Sequence, residues 1–116
     1  MPPEAGAVTG AEAEAVAGQV FVALADPSRR AILAELASAG PATATDLAAR
    51  LPITRQAITK HLYTMADAGL LRSRREGRES LWEVRPERLE DARHSLELIS
   101  KQWDHSLARL KKLVEE

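Results

Sequence analysis

The chain has 116 residues and no cysteine, which excludes disulfides, thiolate metal sites and cysteine redox chemistry. Aromatic residues are scarce, with one Phe, one Tyr and two Trp. No long apolar run occurs, and no basic start is followed by an apolar segment, so neither a membrane span nor a secretory signal is expected and a cytoplasmic location is the default. A Gly-rich phosphate loop, a paired-carboxylate constellation and a nucleophile elbow are also missing. His61 stands beside Lys60 without a carboxylate or nucleophile to work with, so it offers no mechanism, and an enzyme is not expected.

Basic residues are absent from the start of the chain: no Lys or Arg precedes Arg29. The net charge of −1 therefore hides an asymmetry. Thr54 to Ser80 holds Arg55, Lys60, Arg72, Arg74, Arg75 and Arg78 against Asp67, Glu76 and Glu79, and such a local basic patch suits contact with nucleic acid. The length fits one domain, large enough for a core but small enough to leave apolar surface for a partner.

Residues 1–11 are rich in Pro, Gly, Ala and Glu without a packing pattern, so a flexible N-terminus is expected, followed by one domain over 12–116. From Glu12 to Ala25 the pattern is helical, with Val16, Val20, Ala23 and Leu24 on a stripe that Phe21 and Val22 widen. Asp26 is an N-cap with Pro27 at the first helical position, and the helix it opens carries Ile32, Leu33 and Leu36 inward. Gly40-Pro41 should end it at about Ala39 through a left-handed residue and a helix blocker. Thr43 and Asp46 form a capping-box pair for a short helix through Leu51, in which Leu47 and Leu51 point inward.

Pro52 stops that helix and Thr54 caps the next, so two helices joined by about three residues give a helix-turn-helix plan, with a plain αα-hairpin as the alternative. From Thr54 to Gly69 one narrow face is apolar, through Ile58, Leu62 and Met65. The other face carries Arg55, Gln56, Thr59, Lys60 and Tyr63, which can donate to phosphates or reach base edges. Beyond Gly69 the period shortens to about two. Arg72 to Arg75 lead into a turn at Glu76-Gly77-Arg78, and Ser80 to Val84 return with Trp82 and Val84 on one face, which reads as a β-hairpin. From about 86 to 114 a long helix is expected. Leu89, Ala92, Leu96, Ile99, Trp103, Leu107, Leu110 and Val114 recur by threes and fours, nearly a coiled-coil seam too long for so small a domain to cover alone.

The segments LADPSRRAILAEL, TDLAARLPITRQAITKHLYTMADAGLL and RSRREGRESLWEV, in that order and spacing, resemble the ArsR-type winged-helix repressor family. The resemblance covers about Val20 to Val84 firmly and the last helix more loosely. It implies a mostly α fold with a small β-hairpin, in α-α-α-α-β-β-α order, and a homodimer built from the first and last helices. Thr54 to Ala68 would be the recognition helix and Arg74 to Glu79 the wing tip. The partners implied are double-stranded DNA and a second copy of the chain. Contacts to DNA are expected from Thr54, Arg55, Gln56, Thr59, Lys60, Tyr63, Arg74, Arg75 and Arg78. Dimer contacts are expected from Val16, Val20, Leu96, Ile99, Trp103, Leu107 and Leu110.

Many relatives sense metals through cysteines, which are absent here, or through Asp and His on the last helix. His94 and His105 have the latter spacing, yet Ala92 and Ala108 stand where two further ligands would be required, so no metal and no cofactor are expected. The functional expectation is a sequence-specific DNA-binding regulator, a homodimeric repressor on a palindromic operator. The alternative is a winged-helix protein-interaction module without DNA binding. Basic side chains on both the helix and the wing favour the first, since an interaction surface would show exposed aromatics there and Tyr63 alone qualifies.

Overall fold

The expected order of five helices and one hairpin is what the chain adopts. A computed structural model describes residues 10–115 and contains α1 (Gly10–Ala23), α2 (Pro27–Ala39), α3 (Ala44–Arg50), α4 (Arg55–Asp67), β1 (Leu71–Glu76), β2 (Glu79–Val84) and α5 (Pro86–Glu115). The flexible start expected for residues 1–11 lies outside the described residues up to residue 9, whereas Gly10 and Ala11 are helical. At its other end α1 stops two residues short of Ala25, because the turn into the next helix needs them.

That turn is held from both sides. The Asp26 carboxylate accepts from the backbone N–H of Ser28 at 2.7 Å and of Arg29 at 3.4 Å, capping α2 while Pro27 fills the position that needs no donor. Arg29 and Arg30 reach back over the corner to carbonyls at the end of α1 and in the turn that follows it. Arg29 donates to Ala23 and Val22, and Arg30 donates to Leu24 at 2.6 Å. The first two basic residues of the chain are thus structural, tying α1 to α2.

Gly40 ends α2 with φ 90 and ψ −175, so its φ is positive as expected but its ψ is extended rather than left-handed helical. The extended backbone carries the chain into Ala42, which pairs with Trp82 of β2 through hydrogen bonds of 3.0 and 2.8 Å. The capping box of α3 forms as read, with Thr43 Oγ1 accepting from Asp46 N–H and the Asp46 carboxylate accepting from Thr43 N–H, both at 3.1 Å. Thr54 caps α4 by accepting from Ala57 N–H at 3.2 Å. Gly69, with φ 80, turns the chain out of α4 toward β1.

The hairpin pairs Leu71 with Val84 and Glu76 with Glu79, leaving a two-residue loop of Gly77 and Arg78. Gly77 has φ 64 and Arg78 does not have positive φ, the sign pattern of a II′ turn matching the strand twist. Arg85 N–H donates to the Leu70 carbonyl at 2.8 Å and closes the hairpin's base.

One core joins these elements. Ile32, Leu47, Ile58, Leu62, Met65 and Leu70 are fully enclosed, and Trp82 covers them from the wing. Val20, expected at a dimer contact, belongs to this core instead. It is 0 % exposed, so it has no surface to offer a partner, and the neighbouring apolar surface of α1 is carried by Phe21 and Val22. α1 packs along α5, whose Ala92 alone is buried, while Leu96, Ile99, Trp103, Leu107 and Leu110 lie open to solvent. Among the described residues no helix is long and apolar enough to cross a membrane.

Candidate nucleic-acid interface

Burial of Ile58, Leu62 and Met65 fixes the roll of α4 about its axis. Each contributes about 1.5 to 3 kcal/mol when fully covered, so together they outweigh any pull on the polar face. That face is left outward with Arg55, Gln56 and Lys60 exposed and Thr59 half-buried. The Thr59 hydroxyl donates to the Arg55 carbonyl at 2.9 Å, which commits its proton and leaves its oxygen free to accept. Tyr63 stands in the third turn, and its ring meets Trp82 edge to face at 5.3 Å. Thr54, the remaining expected contact on this element, is the N-cap.

Between α4, the start of α3 and the wing lies a concavity of about 170 Å³. Arg55, Thr59 and Tyr63 line it from the helix, Arg75 and Arg78 from the wing, and Thr43 and Thr45 from α3. The structure therefore brings together five of the residues expected from the sequence. Thr54, Gln56, Lys60 and Arg74 do not line it. Thr43, Thr45 and Ser80 also line it, and reading Thr43 only as a cap hid its second role.

The wing arginines are not equivalent. Arg72 and Arg74 both reach Glu83, at 2.7 and 3.8 Å, and the Arg72 contact joins residues paired directly across the strands. These pairs are solvent-exposed and weak, of order 0.2 to 1 kcal/mol, but they draw positive charge toward a carboxylate. Arg55, Arg75 and Arg78 have no ion pair among the described residues. All three line the concavity, where the only carboxylate among the described residues is that of Glu79, which accepts from Thr45 Oγ1 at 3.4 Å. Three guanidiniums and several hydroxyls around one small hollow are the kind of groups that bind a phosphate group.

Two acids nearby are held ionised by their caps. Donation from the Thr43 backbone and hydroxyl lowers the Asp46 carboxyl below its usual range, and the Ser28 N–H does the same for Asp26, with smaller help from the Arg29 N–H and the charges of His61 and Arg29. Both serve the scaffold. His94 and His105 lie exposed on α5, and among the described residues no three His, Asp or Glu side chains converge as a metal would require.

Comparison with known proteins gives a consistent result. A family profile described as a helix-turn-helix domain matches residues 24–74. The chain is 46% identical over 65 residues to an uncharacterized HTH-type transcriptional regulator, YuzN, of Bacillus subtilis, covering 51% of this chain and 71% of that one. It is 33% identical over 97 residues to the HTH-type transcriptional regulator Rv2034 of Mycobacterium tuberculosis, covering 84% and 87% respectively. Among solved structures, an ArsR-like transcriptional regulator from Rhodococcus sp. RHA1 superposes with a TM-score of 0.76 at 39% identity, over 86% of this chain and 93% of that one.

Proposed function

This chain belongs to the ArsR family of winged-helix transcriptional regulators, and from that premise we propose that it is a homodimeric repressor of a palindromic operator. In this reading α4 enters the major groove. Gln56 and Thr59, in its first two turns, meet base edges, while Arg55 and Lys60 flank them toward the phosphates. Arg75 and Arg78 hold the backbone from the wing, with Arg74 contributing less because Glu83 shares its charge. Residues 12–116 act as one DNA-binding unit whose last helix also serves dimerisation.

The observation that carries the reading is the convergence of Arg55, Arg75 and Arg78, each without an ion pair among the described residues, on one hydroxyl-lined hollow between helix and wing. A surface arginine is ordinarily dispersed or paired. The dimer is supported by the open seam of Leu96, Ile99, Trp103, Leu107 and Leu110 on α5, next to Phe21 and Val22 of α1. A two-fold dimer would set two recognition helices about 34 Å apart, one turn of DNA, which is why the operator is expected to be an inverted repeat. Bound there, the protein would block access to the promoter.

The test is fluorescence anisotropy with the duplex upstream of the protein's own gene and a scrambled duplex. Binding to the first should exceed the second by about a thousandfold or more at physiological salt. The triple variant Arg55→Ala, Arg75→Ala, Arg78→Ala should lose both. Wild-type protein that binds neither duplex even at low salt would overturn the reading.

A further inference from the structure

α1 packs along α5, whereas α4 packs on α2, α3 and β1. The molecule thus has a helical platform and a reading head, joined by the Asp26 corner and by a core that includes Val20 and Ala23. On the seam between them runs a groove of about 560 Å³, lined by Gly18, Gln19, Val22 and Ala23 from α1, by Thr64 and Asp67 from α4, and by Ala68 at the end of that helix. Its volume lies within the range of about 300 to 1,000 Å³ typical of small-molecule sites. The groove reaches the backbone of α1, since a Cβ built on Gly18 would meet nothing within 4 Å.

The lining also states a charge preference. Asp67 is its only ionisable group, and the carboxylate makes no ion pair or side-chain hydrogen bond among the described residues. It stands in the last turn of α4, which contains no basic residue, so the negative end of the helix dipole adds to its charge. Beyond the helix end, Arg88 lies across Gly69 and forms no ion pair with Asp67. The Thr64 hydroxyl already donates to the Lys60 carbonyl at 3.1 Å, so toward a ligand it can only accept. Acceptors on the α4 side, facing small apolar surfaces and the Gln19 amide, describe a seat for an ammonium group with a hydrocarbon body.

We propose that this groove binds a small organic cation, an apolar body bearing a protonated amine, with Asp67 as its counter-charge, and that occupancy shifts α4 relative to the α1–α5 platform. The groove itself stands apart from the DNA reading, but the regulatory consequence rests on it. Displacing the recognition helix relative to the platform would change the spacing of the two helices in a dimer, and so alter operator affinity without touching the DNA-facing side chains.

The experiment is a titration of the full-length protein, first without DNA, followed by amide chemical shifts in ¹⁵N-labelled samples. The probes are 2-phenylethylammonium, 2-phenylethanol and 3-phenylpropanoate, similar in shape and different in charge. The ammonium should give saturable shifts at Gly18, Val22, Thr64, Asp67 and Ala68, the alcohol weaker ones and the carboxylate none. Asp67→Asn should reduce ammonium affinity about three- to fivefold, to the level of the alcohol. Gly18→Leu should fill the groove and abolish both, with thermal unfolding used to check that this variant folds. No shifts at these amides up to about 20 mM probe, equal binding of all three probes, or the same shifts produced by protein dilution alone would each overturn the site. Operator binding is then measured with the ammonium present. A changed affinity in the wild type that takes about three- to fivefold more ammonium to reach in Asp67→Asn supports the regulatory half, and an unchanged affinity in the wild type overturns it. A protein that binds no DNA would sink the DNA reading while leaving the groove titration intact.

Discussion

The ring of Tyr63 meets that of Trp82 edge to face, with centroids 5.3 Å apart and planes at 87°. Trp82 is 4 % exposed and Tyr63 is 57 % exposed, so a core residue of the wing pins a surface residue of the recognition helix. The tyrosine ring is therefore committed to holding α4 and the wing at a fixed angle. Tyr63→Phe should keep the ring pair and leave the melting temperature nearly unchanged. Tyr63→Ala should cost about 0.5 to 1.5 kcal/mol for removal of the aromatic pair, beyond what area alone removes. Chemical denaturation monitored by tryptophan fluorescence separates the two.

Helix and wing should fail differently. Arg75→Ala and Arg78→Ala are expected to weaken binding to operator and random DNA alike, and to lower the slope of log affinity against log salt by about one for each phosphate that is no longer neutralised. Gln56→Ala should instead erode discrimination by about 1 to 3 kcal/mol for a base contact while leaving random-DNA binding almost intact. Anisotropy on matched and scrambled duplexes at several salt concentrations reads both effects. A change of base preference in the wing variants alone would refute the division.

Covering Leu96, Ile99, Trp103 and Leu107 against a second copy stabilises association by roughly 1.5 to 3 kcal/mol per fully buried side chain, before entropic costs. Trp103→Asp places a charge in the middle of that seam. Light scattering of the wild type should report twice the chain mass at micromolar concentration and that of the variant one chain, with operator affinity falling in step. A wild type that scatters as a single chain would refute the dimer.

The caps predict an acid limb. Because the folded-state values of Asp26 and Asp46 are lowered from 3.8, their ionised forms stabilise the fold above that value, and this contribution disappears as pH falls through the lowered folded-state values. Asn substitutes as a cap without titrating. The double variant Asp26→Asn, Asp46→Asn should therefore show a shallower loss of urea midpoint between about pH 5 and 2 than the wild type does. Parallel curves would show that other carboxylates govern acid unfolding.

Gly69→Ala tests the exit from α4. Its φ of 80 disfavours an L side chain, and an added Cβ would come within 2.9 Å of Arg88 Nε. The left-handed conformation alone costs about 1 to 2 kcal/mol, and Arg88 must also move. Thermal unfolding should show a clear loss of stability, and an unchanged midpoint would mean that the turn relaxes freely.

What could be read from the chain was whatever is encoded locally. Asp26-Pro27, Thr43 with Asp46, and Thr54 each cap a helix through side chains within three residues of the groups they bond, so their spacing suffices. The turn at Gly77 likewise needs only its neighbours. Relations between distant residues were not readable. Arg29 counted only as the first basic residue of the chain, since its partners are the Ala23 and Val22 carbonyls of α1, which no pattern marks. The pairing of Ala42 with Trp82 is a single bridge without periodicity. Val16 and Val20 share a stripe, and only packing decides that Val20 is enclosed while Val16 is half-buried. The convergence of Arg55 with Arg75 and Arg78 required the hairpin's placement against α4, which neither segment specifies alone.

The Ala42 bridge has a consequence for solubility. β2 has a partner on each side, β1 on one and Ala42 on the other, so the free edge of the small sheet is β1. An unpaired strand edge is a template on which another chain can add and begin an aggregate, and natural proteins guard such edges with charge. After Leu71, every residue of β1 is exposed, and three of its five are arginines. Arg74 and Arg75, which the proposed reading assigns to the DNA backbone, therefore also repel a neighbouring strand, as does Arg72. Replacing them with apolar residues would expose the protein to self-association through the wing, whereas lysine would keep the guard and change only the grip on phosphate.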